Sequence, residues 1–181
     1  MVKPRYALVA YVKHSAGEFV ENLRQELHPD LPLMAAHLTI LPPRPLQDTE
    51  KAAIQTLERI CGDHEPFHVT LGEVETFIPV TSTVYIRVAA GAEVMTELHT
   101  LLSTEALQFE EQLPYIPHLT IAKMGSEELA QQAFEIARRR WSEYGGSRRI
   151  LLEKLSFVRE DAKDCWVDLA PVRLGSRLVS K

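Results

Sequence analysis

The chain has 181 residues, with 20 Lys and Arg against 25 Asp and Glu and a formal net charge of −5 at pH 7. That length allows one good core or two small lobes folded as a unit, and 45% hydrophobic with 25% charged residues is an ordinary globular balance. A general nucleic-acid coat carries a strong positive excess and is excluded, whereas a small basic patch inside a cleft is not.

At the N-terminus, Met1-Val2-Lys3-Pro4-Arg5 and the apolar run 6–12 faintly resemble a signal peptide. The run ends at Lys13-His14 without a small-residue cleavage site, so a buried first strand accounts for it better. Phe19, Val20, Leu23 and Leu27 share one stripe of a helix over 16–27, which Pro29 and Pro32 end. Residues 34–41 form a strand beginning at Met34 and stopped by Pro42-Pro43. Asp48 caps a helix to about Cys61, with Ala53, Ile54, Leu57 and Ile60 inward. Strands are expected over 67–77 and 83–89, then a helix marked by Val94, Leu98, Leu101 and Leu102, then a strand over 116–122. Ser126 opens a long helix with Glu127 and Glu128 at its positive end; Phe134, Ala137, Trp141 and Tyr144 form its stripe and Gly145-Gly146 ends it. A last strand pair covers 149–157 and 166–174, across a polar connection at 159–164. No run is long enough to span a membrane. Cys61 and Cys165 stand alone and read as buried thiols in a reducing compartment, so a cytoplasmic protein is expected.

The sequence His37-Leu38-Thr39-Ile40 occurs again, letter for letter, as His118-Leu119-Thr120-Ile121. On a strand, side chains alternate faces, so each His-Thr pair shares one face and the Leu-Ile pairs share the other. Histidine exchanges protons near neutral pH, and threonine supplies a short hydroxyl donor. Two such faces brought together give two imidazoles and two hydroxyls around one phosphate-sized space. The offset, 118 − 37 = 81 residues, is close to half the chain, and the element order repeats in each half, which suggests a duplicated lobe.

With these two motifs, set in Ala36-His37-Leu38-Thr39-Ile40-Leu41 and Pro117-His118-Leu119-Thr120-Ile121-Ala122-Lys123, the chain resembles the two-histidine (2H) phosphoesterase superfamily, in its bacterial and archaeal 2'-5' RNA ligase-like branch. The proline pair after the first motif and Tyr115-Ile116-Pro117 before the second fit the same pattern. The resemblance implies an α+β, bilobal, pseudo-two-fold duplicated fold, with two antiparallel sheets facing a central cleft and helices packed outside. It implies one domain over 1–181 made of two interleaved lobes. It also implies metal-independent hydrolysis of a 2',3'-cyclic phosphodiester to a 2'-phosphate, on RNA ends or small nucleotides; some relatives run the reverse, as 2'-5' RNA ligases. The expected catalytic set is His37, Thr39, His118 and Thr120, with His118 activating water, His37 protonating the leaving oxygen and the threonines donating to phosphoryl oxygens. Arg44 and Lys123 would add positive potential, and Tyr11 and Tyr115 would stack on a base. Several RNA-acting relatives carry arginine where Lys123 stands; lysine keeps the charge but loses the planar fork.

Competing readings follow from the same residues. Neither motif has a His-x-His, a Cys-x-x-Cys or an acidic companion, which argues against a metal site, and no cofactor is expected. His14, His28, His64, His68 and His99 show no pattern and are expected mostly at the surface. Arg138-Arg139-Arg140 reads as the cationic end of a helix, and Trp141 and Trp166 read as core. The partner class is an RNA end or cyclic nucleotide, bound by a monomer away from membranes. The alternative function is a non-catalytic nucleotide- or RNA-binding module using the same cleft.

Overall fold

A computed structural model describes residues 2–28 and 35–178. Strand β1 (Tyr6–Tyr11) has two apolar faces: Tyr6, Leu8 and Ala10 enter the main core, and Ala7 and Val9 a smaller cluster opposite. Helix α1 (Ser15–Leu27) begins at His14, whose Nδ1 accepts from the Ala16 amide at 3.2 Å. Gly17 meets the Val12 carbonyl so closely that any Cβ would collide with it. The expected stop at Pro29 and Pro32, and the expected strand start at Met34, lie outside the described residues.

Strand β2 (His37–Arg44) runs through Pro42 and Pro43 instead of stopping there. Its one register pair with the neighbouring strand β5 (His118–Lys123) lies back at Leu38, so that edge asks no ladder donor of the prolines. Helix α2 (Glu50–Gly62) is capped by Thr49, whose Oγ1 accepts from Ala52 N, while Asp48 accepts from Thr49 N. Strands β3 (Phe67–Thr76) and β4 (Thr83–Val88), helix α3 (Ala92–Leu102) and strand β5 (His118–Lys123) follow. Ser126 caps α4 (Glu127–Glu143), and the buried Trp141 of α4 donates from Nε1 to the Gly72 carbonyl at 2.8 Å.

The expected strand over 149–157 is two strands. Glu153 divides β6 (Arg149–Leu152), which pairs with β3, from β7 (Lys154–Ala162), which pairs with β1 and β8 (Cys165–Arg173). The polar 159–164 segment is mostly strand as well. Arg159 and Glu160 are held by ion pairs to Glu50 and Arg5, so polarity there marks the open end of the β7–β8 hairpin and not a loop.

Among the described residues, eight strands form one antiparallel sheet in the order β6-β3-β4-β5-β2-β1-β7-β8. Two four-stranded halves, β6-β3-β4-β5 and β2-β1-β7-β8, meet at the β5–β2 seam through the register pair Leu38↔Leu119. The two separate sheets expected from the sequence are thus one continuous sheet. Helices α1 to α4 pack on one face, where Val20, Leu57, Leu98 and Trp141 join Leu38, Ile40, Leu119 and Ile121 in a single core. The other face carries the small cluster of Ala7, Val9 and Val158, flanked by Tyr11 and Trp166, so Trp166 lies outside the main core.

Two further expectations change. Cys61 is buried, which pushes its thiol up to about 12, but Cys165 is exposed beside the tight β7–β8 turn. His99 is 7% exposed and not at the surface, because it lies on the inner stripe of α3 with Met95, Leu98 and Leu102. Among the described residues no helix is long and apolar enough to cross a membrane.

Candidate active site

The Leu38↔Leu119 register decides what gathers at the seam. One step either way along an antiparallel ladder, His37 stands across from Thr120 and Thr39 across from His118. All four are half-buried on the face away from the helices, whereas Leu38, Ile40, Leu119 and Ile121 are wholly buried. Diagonal neighbours on such a pair lie about 7–8 Å apart, which leaves room for one tetrahedral anion between the two imidazoles.

The rows extend across the sheet. Tyr11 of β1 pairs with His37, and its ring meets the imidazole edge-on at 6.5 Å. Tyr85 and Arg87 of β4 pair with Thr120 and His118. Phe77 stacks on Tyr85 at 4.0 Å, and the two rings meet His118 edge-on at 5.0 and 5.2 Å. Burial, reinforced by Glu75, pushes the Tyr85 hydroxyl up to about 12, so it acts only as a neutral group.

Both imidazoles are oriented alike. Nδ1 of His37 lies 2.8 Å from the Ala35 carbonyl and Nδ1 of His118 lies 2.6 Å from the Ile116 carbonyl. A carbonyl only accepts, so each Nδ1 carries a proton and donates it, leaving Nε2 to give or take one. Burial holds both rings below the ordinary histidine range; Arg24, Lys123 and His118 add to this at His37, and Lys123 at His118. An anion between them would reverse that effect.

Each motif strand bulges at the residue after its threonine. Leu8 pairs with Leu41 and Val9 with Thr39, which makes Ile40 the extra residue; Val84 pairs with Ala122 and Tyr85 with Thr120, which makes Ile121 the extra residue. A bulge leaves carbonyls without ladder partners, and here side chains supply them. Arg24 of α1 donates from Nη2 to Thr120 O at 2.8 Å and from Nε to Ile121 O at 2.9 Å. In the other half the Tyr115 hydroxyl donates to Thr39 O at 2.7 Å and Nδ1 of His99 donates to Ile40 O at 2.7 Å. The bulge in β5 also resets the alternation: Ala122 enters the core, and the exposed Lys123 joins the open face with His118 and Thr120.

Of the residues the sequence singled out, His37, Thr39, His118, Thr120, Tyr11 and Lys123 are therefore brought together. Arg44 and Tyr115 are not. Arg44 is 1% exposed, and its guanidinium donates to Pro42 O, Leu107 O and Glu111 Oε1, which fixes the segment before β5. The Tyr115 ring lies flat on His99 at 3.9 Å, away from stacking partners in the cleft. Sequence reasoning missed Arg24, His99, Phe77, Tyr85 and Arg87. Two had a legible signal: Arg24 follows Val20 by four positions and His99 follows Met95 by four, which places each on a buried stripe. Among the described residues, no group of three or more His, Cys, Asp or Glu is placed to hold a metal ion.

Comparison with known proteins agrees with this architecture. Residues 12–164 match the family model described as the 2'-5' RNA ligase superfamily. A protein of Oceanobacillus iheyensis named "Putative phosphoesterase" is 28% identical over 120 residues, covering 66% of this chain and 70% of that protein. Among solved structures, Escherichia coli LigT complexed with NADP+ superposes with a TM-score of 0.68 at 16% identity, covering 96% of this chain and 99% of LigT. TT0787 of Thermus thermophilus gives 0.64 at 16% identity, covering 94% and 98%; at these identities the likeness is one of fold. With a family model spanning most of its length, the chain belongs to the 2'-5' RNA ligase superfamily of two-histidine phosphoesterases.

Proposed function

We propose that this chain is a metal-independent cyclic phosphodiesterase that opens 2',3'-cyclic phosphodiesters on RNA ends or small nucleotides to 2'-phosphates, with 2'-5' ligation when an RNA 5' hydroxyl replaces water as the nucleophile. The supporting observation is the cross-strand quartet, in which His37 faces Thr120 and Thr39 faces His118 around one seam. Its near two-fold arrangement offers a proton acceptor, a proton donor and two hydroxyl donors to a single phosphorus.

The chemistry follows from the free Nε2 atoms. One neutral imidazole takes a proton from water as the water oxygen bonds to phosphorus. The bond from phosphorus to the 3' oxygen breaks, and the other imidazole, charged, gives its proton to that oxygen. The product is a 2'-phosphate with a free 3' hydroxyl, and the proton has passed between histidines. Each transfer contributes about 10² to 10⁴ in rate. Thr39 and Thr120 donate to the non-bridging oxygens, each worth about 3 kcal/mol in the transition state. Lys123 supplies charge at the rim, and Tyr11 on one side and the Phe77–Tyr85 stack on the other are planar surfaces suited to nucleobases. The similar LigT, which is complexed with the nucleotide NADP+, supports a nucleotide-like ligand.

The test is turnover of 2',3'-cyclic nucleotides in the presence of a chelator. Hydrolysis that survives chelation and disappears in His37→Ala and His118→Ala supports the enzyme. Tight binding without turnover identifies the non-catalytic module instead, and turnover abolished by chelation would overturn metal independence.

A further inference from the structure

The order β1-α1-β2-α2 recurs as β4-α3-β5-α4, and the strand before each motif occupies the same place: Tyr11 of β1 pairs with His37, and Arg87 of β4 pairs with His118. By that correspondence α1 goes with β2 and α3 with β5. Their inner side chains cross over instead. Arg24 of α1 donates to the Thr120 and Ile121 carbonyls of β5 at 2.8 and 2.9 Å, and His99 of α3 donates from Nδ1 to the Ile40 carbonyl of β2 at 2.7 Å. We infer that Arg24 and His99 are equivalent positioning residues, each borne by the helix of one half and clamping the motif strand of the other, so that neither half-site is competent without its opposite. The effect on turnover rests on the phosphodiesterase reading above; the effect on the strands does not.

Four observations carry it. The two residues stand at matching places, since Arg24 comes 13 positions after Tyr11 (24 − 11) and His99 comes 12 after Arg87 (99 − 87), and both side chains are buried. Strands β2 and β5 pair directly at one register position, Leu38↔Leu119, so the ladder alone does little to hold the seam. Each clamp acts at a bulge beside a catalytic threonine, on the backbone that aims the hydroxyl. Each clamp is also anchored. Glu21, one turn before Arg24, accepts at 2.9 Å from the amide of Ala36, so α1 grips the residue before His37 with one side chain and the β5 bulge with another. Nε2 of His99 lies 2.7 Å from Glu111 Oε2, and its ring lies flat on Tyr115, whose hydroxyl donates to Thr39 O. Glu111 and Tyr115 precede β5 in the chain, so this clamp too reaches from the second half into the first. Freeing either bulge lets the adjacent hydroxyl drift, and a misplacement of about 1 Å costs on the order of 10² in rate.

The experiment pairs steady-state kinetics on a 2',3'-cyclic nucleotide with amide hydrogen exchange of the full chain, followed residue by residue by NMR. The variants are Arg24→Met and His99→Phe, the second of which keeps an aromatic ring against Tyr115. Each is expected to lower kcat by about 10² while KM changes by less than about twofold. Arg24→Met speeds exchange at amides 119–122 of β5 and leaves 38–41 of β2 as they were; His99→Phe does the reverse. Arg24→Lys keeps a donor to one of the two carbonyls and recovers part of both losses. A folded Arg24→Met protein with native kcat, with its loss in KM alone, or with exchange quickened in β2 or in both strands alike overturns the inference, as does the mirror result in His99→Phe. If either variant does not fold, Arg24→Gln or His99→Gln carries the same test. Because exchange needs no turnover, failure of the phosphodiesterase reading shows separately, as an inactive native chain whose variants keep the crossed exchange pattern.

Discussion

Leu38 lies directly opposite Leu119 at the seam of the sheet, and neither has any exposed surface. These two apolar side chains hold in register the strands whose other faces carry His37, Thr39, His118 and Thr120. Truncating either leaves a cavity between the halves. Leu38→Ala or Leu119→Ala is expected to lower stability by about 2–5 kcal/mol, measured by denaturant unfolding. The same variants should lose activity at temperatures where they remain folded, because the spacing of the imidazoles is set there.

The threonines are separable from the register. Thr39→Ala and Thr120→Ala each remove one hydroxyl donor and should cut kcat by about 10² with little change in unfolding midpoint. Thr→Ser at either position should restore most of it. Equal losses in the alanine and serine variants would show that the methyl and not the hydroxyl matters.

Both imidazoles are held below the ordinary histidine value of 6.5. At pH 7 the free pair is therefore mostly uncharged, whereas the proposed reaction needs one proton on it. The expected profile of kcat/KM rises as pH drops below about 7, peaks on the acid side of 6.5 and falls once both rings are charged. Linkage has the same sign. With folded values depressed, the stabilising contribution is full above the unfolded value and is lost as pH falls through the range between the two. The Tm of the native chain should thus drop more steeply between pH 7 and 5 than that of a His37→Gln, His118→Gln variant.

Arg44 offers a contrast. Its guanidinium is buried against Glu111 at 2.8 Å, so Arg44→Met removes one of the carboxylate's two partners and the donors to Pro42 O and Leu107 O, and should cost about 3 kcal/mol of stability. The KM for a cyclic nucleotide should stay unchanged. A raised KM with native stability would return Arg44 to the binding site, where the sequence alone had put it.

Tyr115→Phe removes the donor to the Thr39 carbonyl and keeps the ring stacked on His99. The expected loss is about 1 kcal/mol of stability, with a severalfold fall in kcat as Thr39 loosens. No change in either quantity would mean the bulge holds itself.

The repeated tetrapeptide made the catalytic face legible, since period-two alternation puts His and Thr together on any strand. What it could not reveal was that the two strands are neighbours, because strand order depends on contacts far apart in the chain. The helices were legible from their stripes, though the Asp48 cap was one residue off because Thr49 and Asp48 are both good caps. Arg44 and Tyr115 were misplaced for one reason. The bulges and the segment before β5 turn them toward the helix side, and a bulge leaves no mark in a sequence of ordinary strand formers. Arg24 was overlooked as one cation on an amphipathic helix, although its position on the inner stripe already argued for a buried partner.

The half of the sheet that holds His37 joins the first two strands to the last two, with Leu8 beside Phe157 across 149 residues of chain (157 − 8). Such distant pairings form late and slowly. While a ribosome is still making β7, the strand that bears His37 has its neighbours β1 and β5 but not the pair of strands that backs β1. The reactive centre therefore rests on a half-sheet that is complete only once the last two strands have been added beside β1.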